Sequence, residues 1–195
     1  MLYRLITMFA GKMDYRSSYK KNPVICIDNK RASFLDDAFS VSADTGEILV
    51  HVVDVVEFIR KYDTLQSTAR DRASSIFLPS GSLHMLPFTA LEALKLSSEG
   101  PNQVITVALS FDSDGSIFGY RVFPSIIGPV FPLNIETADE ILAGIGIRET
   151  SDGQVTSKWP GYPDTVLNDL VYCQRMVSKV YIETISVPNS EVLPL

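Results

Sequence analysis

Three aspartates, Asp28, Asp36 and Asp37, stand within the short stretch ICIDNKRASFLDDAFSV, between two apolar runs. Carboxylates packed this closely repel one another, and burying them unpaired is costly unless a cation compensates. Hard oxygen ligands suit Mg²⁺ or Mn²⁺, ions that keep several waters and share their coordination with substrate phosphates. Asp36 and Asp37 are adjacent, so a regular strand would send them to opposite faces. They can face one ion only from a turn, which the intervening NKRASFL allows. An acid-rich exposed loop accounts for the same residues, and the residue types alone leave both readings open.

The flanking pattern gives the elements that must position these acids. PVICI (23–27) is a continuous apolar run with β-branched residues and reads as a buried strand. AFSVSA (38–43) alternates, and DTGE (44–47) turns the chain into ILVHVVD (48–54), which predicts a hairpin. Val55, Val56, Phe58 and Ile59 fit a short helix, and TLQSTARDR (64–72) a second one with Thr64 as its N-cap. SSIFLPSGSLHMLP (74–87), broken by two prolines and a glycine, reads as a structured loop with a short strand, and FTALEALKL (88–96) as a helix. QVITVALSF and SIFGYRVFPSI form two strands joined by DSDG (112–115), a strong hairpin turn. Helices follow at 136–145 and 163–185, the last with an apolar stripe of Val166, Leu170, Cys173, Met176, Val177 and Val180. The polar, Gly/Pro-rich segment between them reads as a loop. Strands early and helices late make this an α+β protein, with a mixed, largely antiparallel sheet and flanking helices.

Composition narrows the functional classes. With 195 residues, nearly half apolar, the chain can bury a sizeable core. No apolar run approaches the roughly 20 residues that cross a bilayer, so no membrane partner is expected. Two cysteines, Cys26 and Cys173, make neither a disulfide framework nor a zinc site, and fit a reducing, intracellular compartment. The start of the chain is basic and acid-poor, as transit peptides are, while Arg4 inside its short apolar part fits a folded segment better than a signal peptide. The expected location is therefore cytoplasmic or organellar, in a chloroplast or mitochondrion. A net charge of −6 argues against holding nucleic acid by bulk electrostatics. Residues 1–31 nevertheless carry seven Lys/Arg against two Asp, and such a margin beside an acidic cluster either holds a polyanion or is a solvated arm.

Other chemistry finds less support. DSDG lacks the acids that a calcium loop needs at positions 110 and 121, which are Ser and Arg. His51, alone in a predicted strand, reads as a satisfied structural residue, and two histidines without a GxSxG sequence do not make a Ser-His-Asp hydrolase. Cys26 reads as a small core residue.

The blocks CIDNKRASFLDDAFSV, ILVHVVDVVEFI, ARDRASSIFLPSGSLHMLP and SFDSDGSIFGYRVFPSIIGPVFPLNIETADEIL fall in order over residues 16–142. They resemble the catalytic RNB domain of ribonuclease II and ribonuclease R, whose pattern runs T-I-D-x5-D-x-D-D-A, V-H-I-A-D-V-x-x-[FY]-[VI] and A-x-x-R-G-T-S-V-Y-x-P-x-x-x-I-P-M-L-P. The resemblance implies a metal-dependent 3′-to-5′ exoribonuclease that hydrolyses single-stranded RNA to nucleoside 5′-monophosphates with Mg²⁺ or Mn²⁺, the ion activating a water and neutralising the scissile phosphate. It implies that Asp28, Asp36 and Asp37 are metal ligands, that Asp36 is the catalytic one, and that Phe77 contacts RNA where the family has tyrosine.

Departures from that pattern are specific. The second aspartate of the family falls at Phe34, the glycine after the pattern's arginine at Ala73, and the tyrosine after the late strand pair at Ile135. The resemblance also divides the chain into an N-terminal arm, 1–15, and a partial RNB-type domain, 16–195, without its later part or OB-type RNA-binding domains. Two expectations follow: an exoribonuclease, or a catalytically impaired relative that binds RNA or a protein partner. A partial domain exposes apolar surface, so self-association or a second chain completing the domain is also expected.

Overall fold

The computed structural model describes residues 16–30, 32, 34–144, 147–149, 155–157 and 162–186; the basic residues Arg4, Lys12 and Arg31 lie outside it. Its main sheet has seven strands: β1 (Ser17–Tyr19), β2 (Val24–Asp28), β3 (Asp37–Val41), β4 (Ile48–Val53), β7 (Asn102–Phe111), β8 (Ile117–Ile127) and β9 (Val130–Asn134). They lie in the order β1-β8-β7-β4-β3-β2-β9. The β1–β8 and β2–β9 pairs are parallel and all the others antiparallel, so the sheet is mixed and largely antiparallel, as the pattern predicts.

Strand periodicity explains how the sheet carries two apolar layers. Val24 and Cys26 point to one face, where Ala38, Val104, Ile127 and Val130 join them with Leu96 from outside the sheet. Ile25 points to the other and packs with Leu133 beneath α4 (Ile135–Leu142) and α5 (Asp164–Ser186), through Ala138, Ile141, Val166, Leu167 and Leu170. Farther along α5, Cys173 and Met176 close over Ile48. Val177, expected in the same stripe, is 59 % exposed, because the helix turns that side away from β3 and β4; the side chain of Val180 lies outside the described residues.

Three short helices build a separate apolar cluster. These are α1 (Val55–Ile59), α2 (Asp63–Arg72) and α3 (Phe88–Leu94), with Leu86, Ala90 and Leu94 buried against Phe58, Ile59 and Leu65. The second is capped two residues earlier than predicted: Tyr62 is its N-cap without a side-chain bond, and Thr64 lies inside, its carbonyl accepting from the Ser67 and Thr68 hydroxyls. Residues 74–87 hold a two-stranded ribbon, β5 (Ile76–Leu78) with β6 (Gly81–Leu83), rather than a single strand. The segment read as a polar loop contains β10 (Ile147–Glu149) paired with β11 (Val155–Ser157), a pairing without the apolar alternation that marks strands in sequence. At the β7–β8 turn, Asp112 Oδ1 accepts the backbone N–H groups of Asp114 and Ser116, and Gly115 takes φ +94°. A Cβ on Gly115 would stand 2.5 Å from Lys179 Cβ of α5, whose ammonium donates to the Ser113 carbonyl.

Candidate nucleic-acid interface at the acidic end of the sheet

Asp28 closes β2 and Asp37 opens β3. Ile25 faces Phe39 across this antiparallel pair, a register that carries Asp28 to the level of Asp36. The three acids thus converge at one end of the sheet. Partial burial, then the neighbouring Asp37 and Asp28, push the Asp36 carboxyl above the usual range. The same field reaches Cys26 behind them, where burial, Asp37, Asp28 and Asp36 raise the thiol to about 12 and leave it unreactive. Beside Asp28 opens a cleft of about 740 Å³ lined by Asn29, Lys30, Lys95, Glu99 and Asn134.

Fit to a divalent ion is the test of this cluster. Asp28 Oδ1 already accepts the Asn29 N–H at 2.7 Å, and Asp36 and Asp37 are exposed on neighbouring positions of an extended chain. Position 34 contributes a ring and no oxygen. Among the described residues, no group of three or more His, Cys, Asp or Glu side chains is disposed to hold a metal ion.

Phe34 has been given other work. Leu35 packs inward, held where the Leu96 N–H donates to its carbonyl at 2.7 Å. The Phe34 ring meets Phe88 edge-on at 5.4 Å and His84 at 5.7 Å, and His84 meets Phe77 at 6.1 Å. Four rings therefore follow one another: Phe88 at the start of α3, Phe34, His84, and Phe77 on β5. Phe77 is 74 % and Phe88 59 % exposed. Arg72, in the last turn of α2, donates to the His84 carbonyl at 2.8 Å and fixes this side of the row. Sequence reasoning singled out Phe34 and Phe77 but not the ring row. Its signal was that residue 84, proline in I-P-M-L-P, is His here, so two departures fifty positions apart are in contact.

Behind the rim, the polar side chains of the sheet are matched. His51 is fully buried, its Nε2 2.9 Å from Ser40 Oγ and its Nδ1 2.8 Å from Thr106 Oγ1, which in turn bonds Ser125 Oγ. These four residues sit on adjacent strands β3, β4, β7 and β8, and one neutral imidazole serves both hydroxyl neighbours by donating from one nitrogen and accepting at the other. The structural role expected of His51 is the one it has. Asp54 caps α1 by accepting the Glu57 N–H and pairs with Arg16 at 2.7 Å. Arg16, counted in the basic margin, is thus committed to the fold. A pattern of charges along the chain does not reveal a pair 38 residues apart.

Comparison with known proteins agrees with this architecture. The RNB domain family model matches residues 16–180. Ribonuclease II, chloroplastic/mitochondrial, of Arabidopsis thaliana is 34 % identical over 123 residues, which are 61 % of this chain and 15 % of that protein. The structure of Mycoplasma genitalium RNase R in complex with ribose methylated single-stranded RNA superposes with a TM-score of 0.74 at 20 % identity, covering 88 % of this chain and 25 % of that one. Yeast Ssd1, described as a pseudonuclease, superposes with a TM-score of 0.68 at 23 % identity over 95 % of this chain and 21 % of its own. The chain spans only 15–18 % of the length of the ribonucleases it matches in Arabidopsis, Thermotoga and Synechocystis. Divalent-metal dependence is the general expectation for such relatives. With the RNB domain model matched over residues 16–180, most of its length, the chain belongs to the RNB-domain family of ribonuclease II and ribonuclease R.

Proposed function

We propose that this chain is an RNB-type module, residues 16–195, that engages single-stranded RNA with its hydrolytic site impaired. One observation carries the reading: Phe34 stands where the family pattern has a carboxylate, and its ring is engaged by His84 and Phe88 rather than left as a gap beside the acids. Among the described residues, no group of three or more His, Cys, Asp or Glu side chains is disposed to make up for it. Relatives whose descriptions name bound RNA, and one described as a pseudonuclease, share the fold and are compatible with RNA engagement separated from cleavage. A location in the cytoplasm or in an organelle goes with this proposal, the Arabidopsis relative being named as chloroplastic/mitochondrial.

The exoribonuclease reading keeps one specific support, the convergence of Asp28, Asp36 and Asp37 at one end of the sheet, close enough that Asp37 and Asp28 add to burial in raising the Asp36 carboxyl. In that reading the three would hold Mg²⁺ or Mn²⁺, with Asp36 the catalytic ligand and Phe77 the RNA contact. The deciding experiment incubates a 5′-labelled single-stranded RNA with the chain and either ion, beside Asp36→Asn, and measures binding by gel shift in parallel. The expected result is a shifted band without a ladder of shortened products. A ladder that disappears in Asp36→Asn would overturn the impaired-site reading and restore the enzyme.

A further inference from the structure

We infer that the row Phe88–Phe34–His84, continued outward by Phe77, is a stacking platform that holds unpaired nucleic-acid bases without any divalent cation. This deepens the RNA-binding reading and rests on it. Three observations carry it. The rings form an unbroken series, each edge-on to the next at 5.4 to 6.1 Å. The two end rings are mostly exposed, Phe77 by 74 % and Phe88 by 59 %, which leaves ring surface open to a further stacked partner. The exposed guanidinium of Arg72 is tethered to the His84 carbonyl at the edge of the row, which places a positive charge where a phosphate backbone would pass.

Charge and shape together favour bases over a protein strand as the occupant. Phe34 in the row is two residues from Asp36, so the row adjoins the acidic end of the sheet, and Arg72 is bonded at its His84 member. Stacking is tolerant of base identity because every base presents a π-face. A cation bridge, by contrast, depends on carboxylates that the row lacks. The substitution at residue 34 therefore exchanges an ion-dependent hold on phosphate for an ion-independent hold on bases, and His84 in place of proline supplies the ring that links Phe34 to Phe77.

Fluorescence anisotropy of a short labelled oligoadenylate in EDTA tests this, with an abasic oligomer of the same length as the comparison. The platform requires binding that persists in EDTA, is lost with the abasic oligomer, and weakens about tenfold for Phe88→Ala and for Phe34→Ala. Phe88 is mostly exposed, so its alanine variant keeps the fold, and Phe34→Tyr should restore binding by returning a ring. Equal affinity for the abasic oligomer, or unchanged affinity in both alanine variants, would overturn the platform while leaving RNA binding intact. No binding of either oligomer would overturn the RNA-binding reading as well. Phe77→Ala that abolishes self-association by light scattering yet leaves oligoadenylate binding unaltered would assign the rings to protein contact and refute the proposal.

Discussion

The sheet holds two polar clusters that its apolar strands treat in opposite ways. Ser40, His51, Thr106 and Ser125 are buried and bonded to one another across four strands. Asp28, Asp36 and Asp37, at the acidic end of the same sheet, lie at or near the surface and repel. A buried polar group without a partner costs about 1–3 kcal/mol, so the interior chain persists only because each member is satisfied. At the rim, water covers the carboxylates and no such discipline applies. The contrast separates polar residues that specify the fold from those left free for a ligand.

The largest expected effect breaks the interior cluster. His51→Ala removes both hydroxyl bonds and leaves a cavity, and should cost about 3–5 kcal/mol in urea denaturation. A loss under about 1 kcal/mol would mean that the interior chain is not a structural device, and the contrast with the rim would collapse.

Next in size is Asp169, a carboxylate on α5 that burial pushes up to about 6, against the Val41 N–H that pulls it down. Its protonated form is favoured by folding, so its stabilising contribution is complete below pH 4 and is lost as pH rises through about 6. Burial pushes the His51 ring down to about 4, with the opposite consequence: stability is lost as pH falls from about 6.5 towards 4. Between pH 6 and 4 the two contributions oppose one another. Asp169→Asn should therefore gain about 2 kcal/mol at pH 7 and show a steeper acid loss than the native chain, read from denaturation midpoints across that range. A parallel pair of pH profiles would contradict the raised Asp169 carboxyl.

On the rim, Ala73 ends α2 with φ +61°, a left-handed conformation where the family pattern has glycine. Ala73→Gly should stabilise by about 1 kcal/mol, seen as a higher melting temperature. Smallest for stability is Phe34→Asp, which should change it by at most about 1 kcal/mol because the ring is only half-buried. The same variant should tighten Mn²⁺ binding in calorimetry. Unchanged Mn²⁺ affinity would show that position 34 does not belong with the three acids, and the comparison between a matched interior and an unmatched rim would lose its functional meaning.

Most of the sheet was legible because its signals are local. The β3–β4 and β7–β8 hairpins announce themselves through DTGE and DSDG, and the last helix through its apolar spacing. β9 went unread because GPVFPLN carries two prolines, yet Pro132 is tolerable there: among the described residues β9 is an edge strand paired with β2 alone. β1, three residues long and paired in parallel with β8, has too few positions for any alternation to show. At the site, the aspartates were legible since one short segment holds all three. The contacts Phe34–His84 and Arg16–Asp54 join distant segments, and only the folded chain brings them together.

Gly115 and Gly81 both adopt positive φ, yet their surroundings make them unequal targets for variation. Around Gly81 there is open space, whereas any side chain at 115 would collide with the base of Lys179. A saturation library should therefore deplete side chains at 81 through backbone strain alone, and at 115 more severely, through strain and collision together. A surface turn would then show the mutational intolerance usually found in a core, because the β7–β8 turn and α5 meet there without room for one more carbon.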